Sequence, residues 1–254
     1  MNFKALYESN KQRVVTGLVM VAFASFIAFI DNPLVTWGIL GVMYLFAFHE
    51  AMKLFEVSDT KLYVYAIVLW CLAFFYPNPD DLVYLALIVF LSIMAYRKVV
   101  DYRLLAPFLY PTISMLFLYA LYNDFGMGVL VWLVIIVALT DTGAYFVGKS
   151  IGKTSFSPTS PNKTLEGVLG GIVIATVVGA LYGTFFIPLW LSVLIALCTS
   201  VASIFGDLFE SYLKRDAGIK DSGTLFPGHG GMLDRIDGYL FAVIVMVILL
   251  RGLA

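Results

Sequence analysis

Residues 126–148 read GMGVLVWLVIIVALTDTGAYFVG, and Asp141 is the one charged side chain among them. A helix needs about 20 such residues to cross the hydrocarbon core of a bilayer, where only helices and closed barrels satisfy their backbone hydrogen bonds. The apolar character is continuous rather than alternating, which favours a helix over a barrel strand. The stretch therefore predicts a membrane-spanning helix.

Stretches of the same kind recur along nearly the whole sequence. Of its 254 residues 61% are hydrophobic, against roughly 45–50% in soluble domains, and the mean hydropathy is +0.93. We interpret residues 1–254 as a single domain of an all-α, polytopic integral membrane protein with about nine transmembrane helices. The predicted spans are residues 14–30, 33–55, 62–76, 82–97, 104–122, 126–148, 165–186, 188–212 and 238–250.

Lysine and arginine residues are distributed unevenly between the predicted loops. If the N-terminus is cytoplasmic, the cytoplasmic segments hold 15 of the 16 basic residues, and Arg251 is the exception. The opposite loops carry Asp31, Asp80, Asp81 and Asp124 and no cation. Because basic loops stay in the cytoplasm, this asymmetry predicts a cytoplasmic N-terminus and a cytoplasmic loop between the last two helices.

Some features that resemble functional motifs are better explained as structural. Residues 143–150 fit the spacing of a phosphate-binding loop, but they finish a predicted span instead of following a strand. His49 and Glu50 are interpreted as a polar pair near the cytoplasmic end of the second span, because no second His follows at zinc-binding spacing. Cys71 and Cys198 suggest neither a disulfide nor zinc. No basic tail or nucleic-acid motif is present, so no nucleic-acid partner is predicted.

The eighth predicted span ends in a polar stripe. On a helix, Asp207, Glu210, Ser211 and Lys214 stand at i, i+3, i+4 and i+7 and project from one face. A carboxylate within the membrane costs roughly 2.5–3.5 kcal/mol on insertion scales, so it usually faces a cavity, a partner or an ion. The alternative is that Asp207 and Lys214 form one ion pair that reaches the interface at a helix end.

The stretch at 214–237, KRDAGIKDSGTLFPGHGGMLDRID, continues from this stripe. Its glycines at 228, 230 and 231 would let backbone amides approach an oxyanion closely. Asp234 and Asp237 are three residues apart, so a helix that has begun there would direct both towards the stripe. Hard carboxylate oxygens suit Mg²⁺, and the cations of this stretch suit phosphate. An ordinary basic loop with paired charges would explain the cations, but not the glycines or the acids at helical spacing.

A second polar patch closes the span that begins at residue 126. Asp141 lies about two turns before Lys149, roughly 10 Å deeper in the membrane at 1.5 Å per residue. The polar loop at 155–164 follows, and its hydroxyls and Lys163 precede the next span. This arrangement suits contacts with a phosphate or a ribose, or equally a solvated turn in which Thr164 caps the helix.

Taken together, these residues resemble a known family. The pattern Ser211-x-Leu-Lys-Arg-x4-Lys220-Asp-x-Gly-x2-Phe-Pro-x-His229-Gly-Gly-Met-x-Asp234-Arg-Ile-Asp237 is similar to the signature of phosphatidate cytidylyltransferases, the CDP-diacylglycerol synthases. Upstream elements around Asp141, Ser157 and residues 162–167 match as well, so the resemblance covers roughly residues 140–240. The N-terminal spans match only as apolar helices.

The resemblance implies that phosphatidate and CTP react to give CDP-diacylglycerol and pyrophosphate, with Mg²⁺ and a possible second cation. It implies N-terminal helices at 1–125, catalytic helices and cytoplasmic loops at 126–254, a bacterial inner-membrane location with a cytoplasmic site, and a homodimer. The implied metal ligands are Asp207, Asp234, Glu210 and Asp237. The implied catalytic residues are Lys214, Arg215, Lys220, Asp221, His229 and Arg235. The implied substrate-binding residues are Asp141, Lys149, Lys153, Asn162, Lys163, Ser211, Gly230 and Gly231.

Two other functions fit parts of the pattern. Transfer of the cytidylyl group to another lipid phosphate, such as an archaeal ether lipid, would leave the same signature. A transporter of an anionic solute would also contain buried acids and helices interrupted by glycine. Transport predicts paired broken helices in both halves of the chain, whereas the polar residues here crowd the C-terminal half.

Overall fold

The computed structural model describes residues 3–98, 102–226, 228 and 230–253, and for residues 3–14 the backbone alone. Its α-helices are α1 Phe3–Ile30, α2 Pro33–Leu54, α3 Lys61–Phe75, α4 Leu82–Arg97, α5 Ile113–Ile151, α6 Leu165–Gly183, α7 Leu189–Asp216 and α8 Leu233–Leu253. Short 3-10 helices cover Pro79–Asp81 and Tyr102–Leu105, and a π-helical turn covers Phe108–Thr112. Strands β1 (Ser155–Ser157) and β2 (Ser160–Thr164) pair antiparallel between α5 and α6.

Six helical segments in the described part of the chain are long and apolar enough to cross a membrane. They are Pro33–Leu54, Pro79–Arg97, Arg103–Ile151, Leu165–Gly183, Leu189–Asp216 and Leu233–Leu253. The shorter apolar helices Val15–Ile30 and Lys61–Phe75 add to them. The prediction of a helical, polytopic membrane protein is therefore confirmed.

Two features explain why six long segments are found where about nine spans were predicted. α3 has only 15 residues, which is short for a full crossing, and the described side chains of α1 cover only Val15–Ile30 of its 28 residues. α5 runs through most of the fifth and sixth predicted spans, and Gly126 interrupts its helical geometry with φ 79° and ψ 178°. Glycine adopts a positive φ readily because it lacks a Cβ atom, so the chain changes direction between residues 113–125 and 127–151.

The β1–β2 hairpin is the one sheet in the described residues and departs from the all-α prediction. The sequence predicted a loop here, because strands of three and five residues are too short and polar to show an alternating pattern. Thr164 ends β2 and caps α6, since its hydroxyl accepts a hydrogen bond from the Gly167 amide at 3.2 Å. The Thr164 cap is therefore confirmed, and the contact of this stretch with a phosphate or a ribose stays a prediction.

Small residues let α5 and α6 pack closely. A Cβ atom placed on Gly167 would lie 2.6 Å from the carbonyl oxygen of Ala144, and one on Gly143 would lie 3.1 Å from the Cα of Gly171. Gly167 and Gly171 are four residues apart, the spacing at which small residues join helices in membranes. Near the C-terminal end of α6, the Gly179 carbonyl accepts a hydrogen bond from the buried Trp132 indole at 2.7 Å.

Far from the β1–β2 hairpin, ion pairs join the ends of several elements. Arg251, near the end of α8, donates to both carboxylate oxygens of Asp80 at 2.6 and 3.0 Å. The same guanidinium contacts Asp124 at 2.7 Å. Tyr122 donates to Asp31 at 3.1 Å, which brings the end of α1 to the same part of the molecule. Three of the four aspartates that the sequence assigned to the loops opposite the basic ones, together with Arg251, thus lie on the same face of the protein.

Candidate active site

A cavity of about 630 Å³ opens between α5, α6, α7, α8 and strand β2. Eight of the predicted site residues line it: Asp141, Lys149, Asn162, Lys163, Asp207, Asp234, Arg235 and Asp237. They come from four separate elements, so the fold, not sequence proximity, brings them together. Asp207 and Asp234, which the sequence predicted to meet, line this same cavity.

The crossing of α7 and α8 sets the floor of the cavity. A Cβ atom on Gly206 would lie 2.6 Å from the carbonyl oxygen of Asp237, and one on Gly238 would lie 2.7 Å from the Ser203 hydroxyl. Only glycine permits this approach, because any side chain would push the backbones apart. Asp207 directly follows Gly206, so the close crossing brings its α7 carboxylate beside Asp237 of α8.

Asp207 pairs with a lysine from the hairpin. The Lys163 ammonium of β2 donates to one carboxylate oxygen of Asp207, and the Ser211 hydroxyl donates to the other at 3.4 Å. The hairpin is fixed from behind by Glu166, which accepts hydrogen bonds from the backbone amides of Lys153 and Thr154. These contacts hold Lys163 over the cavity.

Lys214 pairs with two buried carboxylates, Glu210 and Asp234. Its ammonium donates to Asp234 at 2.6 Å and also forms an ion pair with Glu210, whose side chain is fully buried. The alternative in which Lys214 pairs with Asp207 at the interface is therefore wrong. The stripe divides instead, because Asp207 faces the cavity while Glu210 and Lys214 turn towards the start of α8.

The second carboxylate oxygen of Asp234 organises the loop before α8. It accepts the Ser222 amide at 2.8 Å, the Ser222 hydroxyl at 2.8 Å and the Gly231 amide at 2.7 Å. The Gly231 amide is thus engaged by an internal acid, whereas the sequence suggested that it would face a bound oxyanion. Gly228 and Gly230 have φ values of 77° and 78°, the left-handed conformation that glycine adopts at little cost.

Glu50 of α2 is a residue of this site that sequence reasoning missed. It is 6% exposed and accepts the Ser222 hydroxyl at 2.8 Å and the amides of Met232 and Leu233 at 2.9 and 2.8 Å. The interpretation of residues 49–50 as a polar pair at a helix end is wrong, because exposed His49 bonds Tyr63 while Glu50 is buried. A signal was present: Glu50 falls in the apolar stripe of Ala47, Ala51 and Leu54 at helical spacing.

Several predicted residues lie outside the cavity lining. Lys220 and Asp221 are exposed, and exposed Arg215 donates to the Ile219 carbonyl at 3.3 Å. Lys153 is also exposed. Gly230 and Gly231 belong to the loop around Asp234, and His229 lies outside the described residues. Lys153, Arg215, Lys220 and Asp221 therefore do not line the cavity.

Arg235 is the cation best placed for an anionic ligand. It lines the cavity, its Nε is buried without a hydrogen-bond acceptor, and no carboxylate of the described residues lies within ion-pair distance of it. Lys149 lines the same cavity, with its ammonium 5.6 Å from the centre of the Tyr145 ring. A half-buried guanidinium with an unpaired Nε is suited to a phosphate.

The acids of the cavity match the chemistry of Mg²⁺. Asp141, Asp207, Asp234 and Asp237 offer hard oxygen ligands, and neither His nor Cys is among the lining residues that the structure describes. The carboxylates are spread over three helices, and within the described residues no three metal-binding side chains are gathered around one point. The donor set therefore fits the ion, while two of the acids, Asp207 and Asp234, are paired with lysines.

Comparison with known proteins gives a consistent result. The sequence model of the Cytidylyltransferase family matches residues 11–253. A phosphatidate cytidylyltransferase of Helicobacter pylori is 44% identical over 92% of this chain and 90% of its own length. Proteins of the same name from Bacillus subtilis and Thermotoga maritima are 34% and 33% identical over 94% and 95% of this chain, and over 97% and 96% of their own lengths. Since these matches span nearly the whole sequence, the chain belongs to the cytidylyltransferase family.

Proposed function

We propose that this chain is a phosphatidate cytidylyltransferase, which transfers the cytidylyl group of CTP to phosphatidate and releases pyrophosphate. One observation carries the proposal beyond family membership: the unpaired Arg235 and the acids Asp207 and Asp237 line one cavity between membrane-spanning helices. Phosphates need the cation, and a divalent ion needs the acids. A lipid phosphate and a nucleotide can meet only where a polar cavity borders the bilayer.

The reaction needs alignment and charge neutralisation more than proton transfer. A phosphate monoester has a second pKa of about 6, so phosphatidate is largely a dianion at neutral pH and needs no general base. The attacking oxygen must lie in line with the α-phosphorus of CTP. Arg235, Lys149 and Lys163 would bind and orient the phosphates, and their charges would stabilise the negative charge that develops on pyrophosphate.

Mg²⁺, when bound, would supply further neutralisation of the phosphate oxygens. We propose Asp207 and Asp234 as its principal ligands, with Asp237 and Glu210 close by. A second cation would bind at the same site. Asp207 and Asp234 each carry a lysine partner, so ligand binding would rearrange the contacts of Lys163 and Lys214. Hydrogen bonds from Ser222 and Gly231 would keep the Asp234 carboxylate in place during that change.

The proposed topology has nine crossings, a cytoplasmic N-terminus and a site that faces the cytoplasm of a bacterial inner membrane. The pairing of Arg251 with Asp124 supports it, because these residues lie on α8 and α5, and the opposite ends of both helices line the cavity. The positive-inside rule supports the orientation. A homodimer is proposed on the family resemblance alone.

The direct test is an assay of the purified chain with labelled CTP and a panel of lipid phosphates. We expect CDP-lipid and pyrophosphate from phosphatidate, and Asp234→Asn should lower turnover by about 10²–10³-fold while the protein remains folded. Near-normal turnover of the variant would show that the reaction does not need the Asp234 carboxylate. A clear preference for an ether-lipid phosphate over phosphatidate would favour the alternative lipid substrate. Solute uptake into vesicles without formation of CDP-lipid would favour a transporter.

A further inference from the structure

We propose that Glu50 is a positioning residue for the reaction: it fixes the loop before α8, at Ser222 and Met232, against α2 and, through Ser222, holds Asp234 in its orientation. The inference rests on the proposed function, because Asp234 is the reactive-site acid whose position it explains. Glu50 does not line the cavity, so it acts through other residues and is not itself a catalytic group.

The surroundings of Glu50 are built for a carboxylate. Its two oxygens accept three hydrogen bonds, from the Ser222 hydroxyl and from the backbone amides of Met232 and Leu233. Those two amides stand at the start of α8, where the helix leaves N–H groups without partners inside the helix. No Lys or Arg of the described residues lies within ion-pair distance of Glu50. Amides and the partial positive charge of the helix start therefore compensate this buried acid.

Ser222 connects Glu50 to Asp234. Its hydroxyl lies 2.8 Å from an oxygen of each carboxylate. A hydroxyl carries one proton, so Ser222 donates to only one of the two acids at a time. The carboxylate to which Ser222 does not donate still accepts a hydrogen bond from a backbone amide. This amide is that of Leu233 for Glu50 and that of Gly231 for Asp234. A displacement of either carboxylate therefore changes the contacts of the other.

The glycines of the loop fit this role. A Cβ atom placed on Gly223 or on Gly231 would collide with the carboxylate of Glu50. The close backbone approach that the sequence suggested is thus present, but the acid that it surrounds belongs to α2 of the same chain. An internal acid that fills the loop explains why Gly231 is buried rather than open to the cavity.

The test compares Glu50→Gln, Glu50→Asp and Ser222→Ala with the matched control His49→Gln. Gln keeps the size of Glu but turns an NH₂ group towards one of three donors, so one buried amide or hydroxyl loses its acceptor. His49 is the exposed neighbour on the same helix and lies off the loop. For each variant, kcat and KM for CTP and phosphatidate, amide hydrogen exchange across residues 222–233 and the thermal unfolding midpoint are measured.

For Glu50→Gln we expect kcat to fall about 10–100-fold, because small displacements of reactive groups have effects of this size, while KM for phosphatidate changes little. The amides of residues 231–233 should exchange faster, whereas those of α6 keep their protection. The kcat and the amide exchange rates of Glu50→Asp should lie between those of wild type and those of Glu50→Gln. The effects of Glu50→Gln and Ser222→Ala should be less than additive in the double variant, since both break the same connection.

Two results would overturn the inference. One is wild-type kcat and exchange in Glu50→Gln; the other is loss of protection throughout the protein with unchanged kcat per folded molecule, which would make the role structural only. If Glu50→Gln does not fold, Ser222→Ala and Glu50→Asp decide the question by the same measurements. If wild type forms no CDP-lipid at all, the proposed function fails, and the exchange data still report whether Glu50 holds the loop.

Discussion

Replacement of Lys214 by Met isolates the contribution of its charge. Met retains a long, unbranched side chain but removes the ammonium that pairs with Glu210 and Asp234. Lys214 is 8% exposed, Asp234 is 7% exposed and Glu210 is fully buried, so water cannot replace the lost partner. Removal of one member of a buried ion pair typically destabilises a protein by about 3–5 kcal/mol. At about 2–4 °C per kcal/mol for a chain of this length, the unfolding midpoint should fall by roughly 6–20 °C.

The assay is thermal unfolding of the purified protein in detergent without substrates, so that any effect on ligand binding is kept apart from stability. Arg215→Met is the matched control, because exposed Arg215 is the adjacent cation and contacts only the Ile219 carbonyl among the described residues. Adding Glu210→Gln to Lys214→Met removes one of the two acids left without a cation, and it should recover part of the lost stability. If Lys214→Met unfolds at the same temperature as Arg215→Met, or if Glu210→Gln makes it worse, the ammonium is not what compensates these acids.

Three further predictions concern packing, the metal and the opposite face. Gly206→Ala should lower stability by about 1–3 kcal/mol and reduce activity, since its Cβ would lie 2.6 Å from the Asp237 carbonyl. The control is Gly38→Ala, because an added Cβ there has nothing within 4 Å. Equal unfolding midpoints for the two variants would contradict the close crossing. Excess EDTA should abolish formation of CDP-lipid and added Mg²⁺ should restore it; activity that survives EDTA would count against a required divalent ion. Arg251→Met should lower the unfolding midpoint without changing kcat, because it releases Asp80 and Asp124 far from the cavity; a selective loss of kcat would refute that separation.

The spans were predictable because a bilayer imposes a length and a composition that can be counted along the sequence. The bounds of α4 match the predicted span, and those of α2 and α3 differ from it by one residue, at one end of α2 and at both ends of α3. What composition could not show was where a continuous helical stretch bends, because Gly126 is one of 21 glycines and composition does not tell which of them adopts a positive φ. The hairpin was missed for a similar reason, since its short strands are set by contacts of Lys163 and Glu166 with other elements.

The candidate site was predictable in part from the polar residues near the end of α7 and the start of α8, although helical spacing did not show that the stripe on α7 divides. Asp207 and Asp234 were expected to meet, and both line the cavity. Pairing between elements was not predictable, because Lys214 could have reached either Asp207 or an acid of the next helix, and only the fold decides. Glu50 was missed because it lies 172 residues from its partner Ser222, a distance over which one sequence gives no sign of contact.

The burial of Glu50 in the loop means that the two halves of this chain are not interchangeable modules. A fragment that begins at residue 126 would carry the whole signature at 211–237 and the elements around Asp141, yet it would lack the α2 acid that accepts hydrogen bonds from Ser222, Met232 and Leu233. Grafting the C-terminal half onto foreign anchoring helices would transfer the signature without the side chain that completes it. An engineered chimera of this fold must therefore retain α2 together with the signature at 211–237.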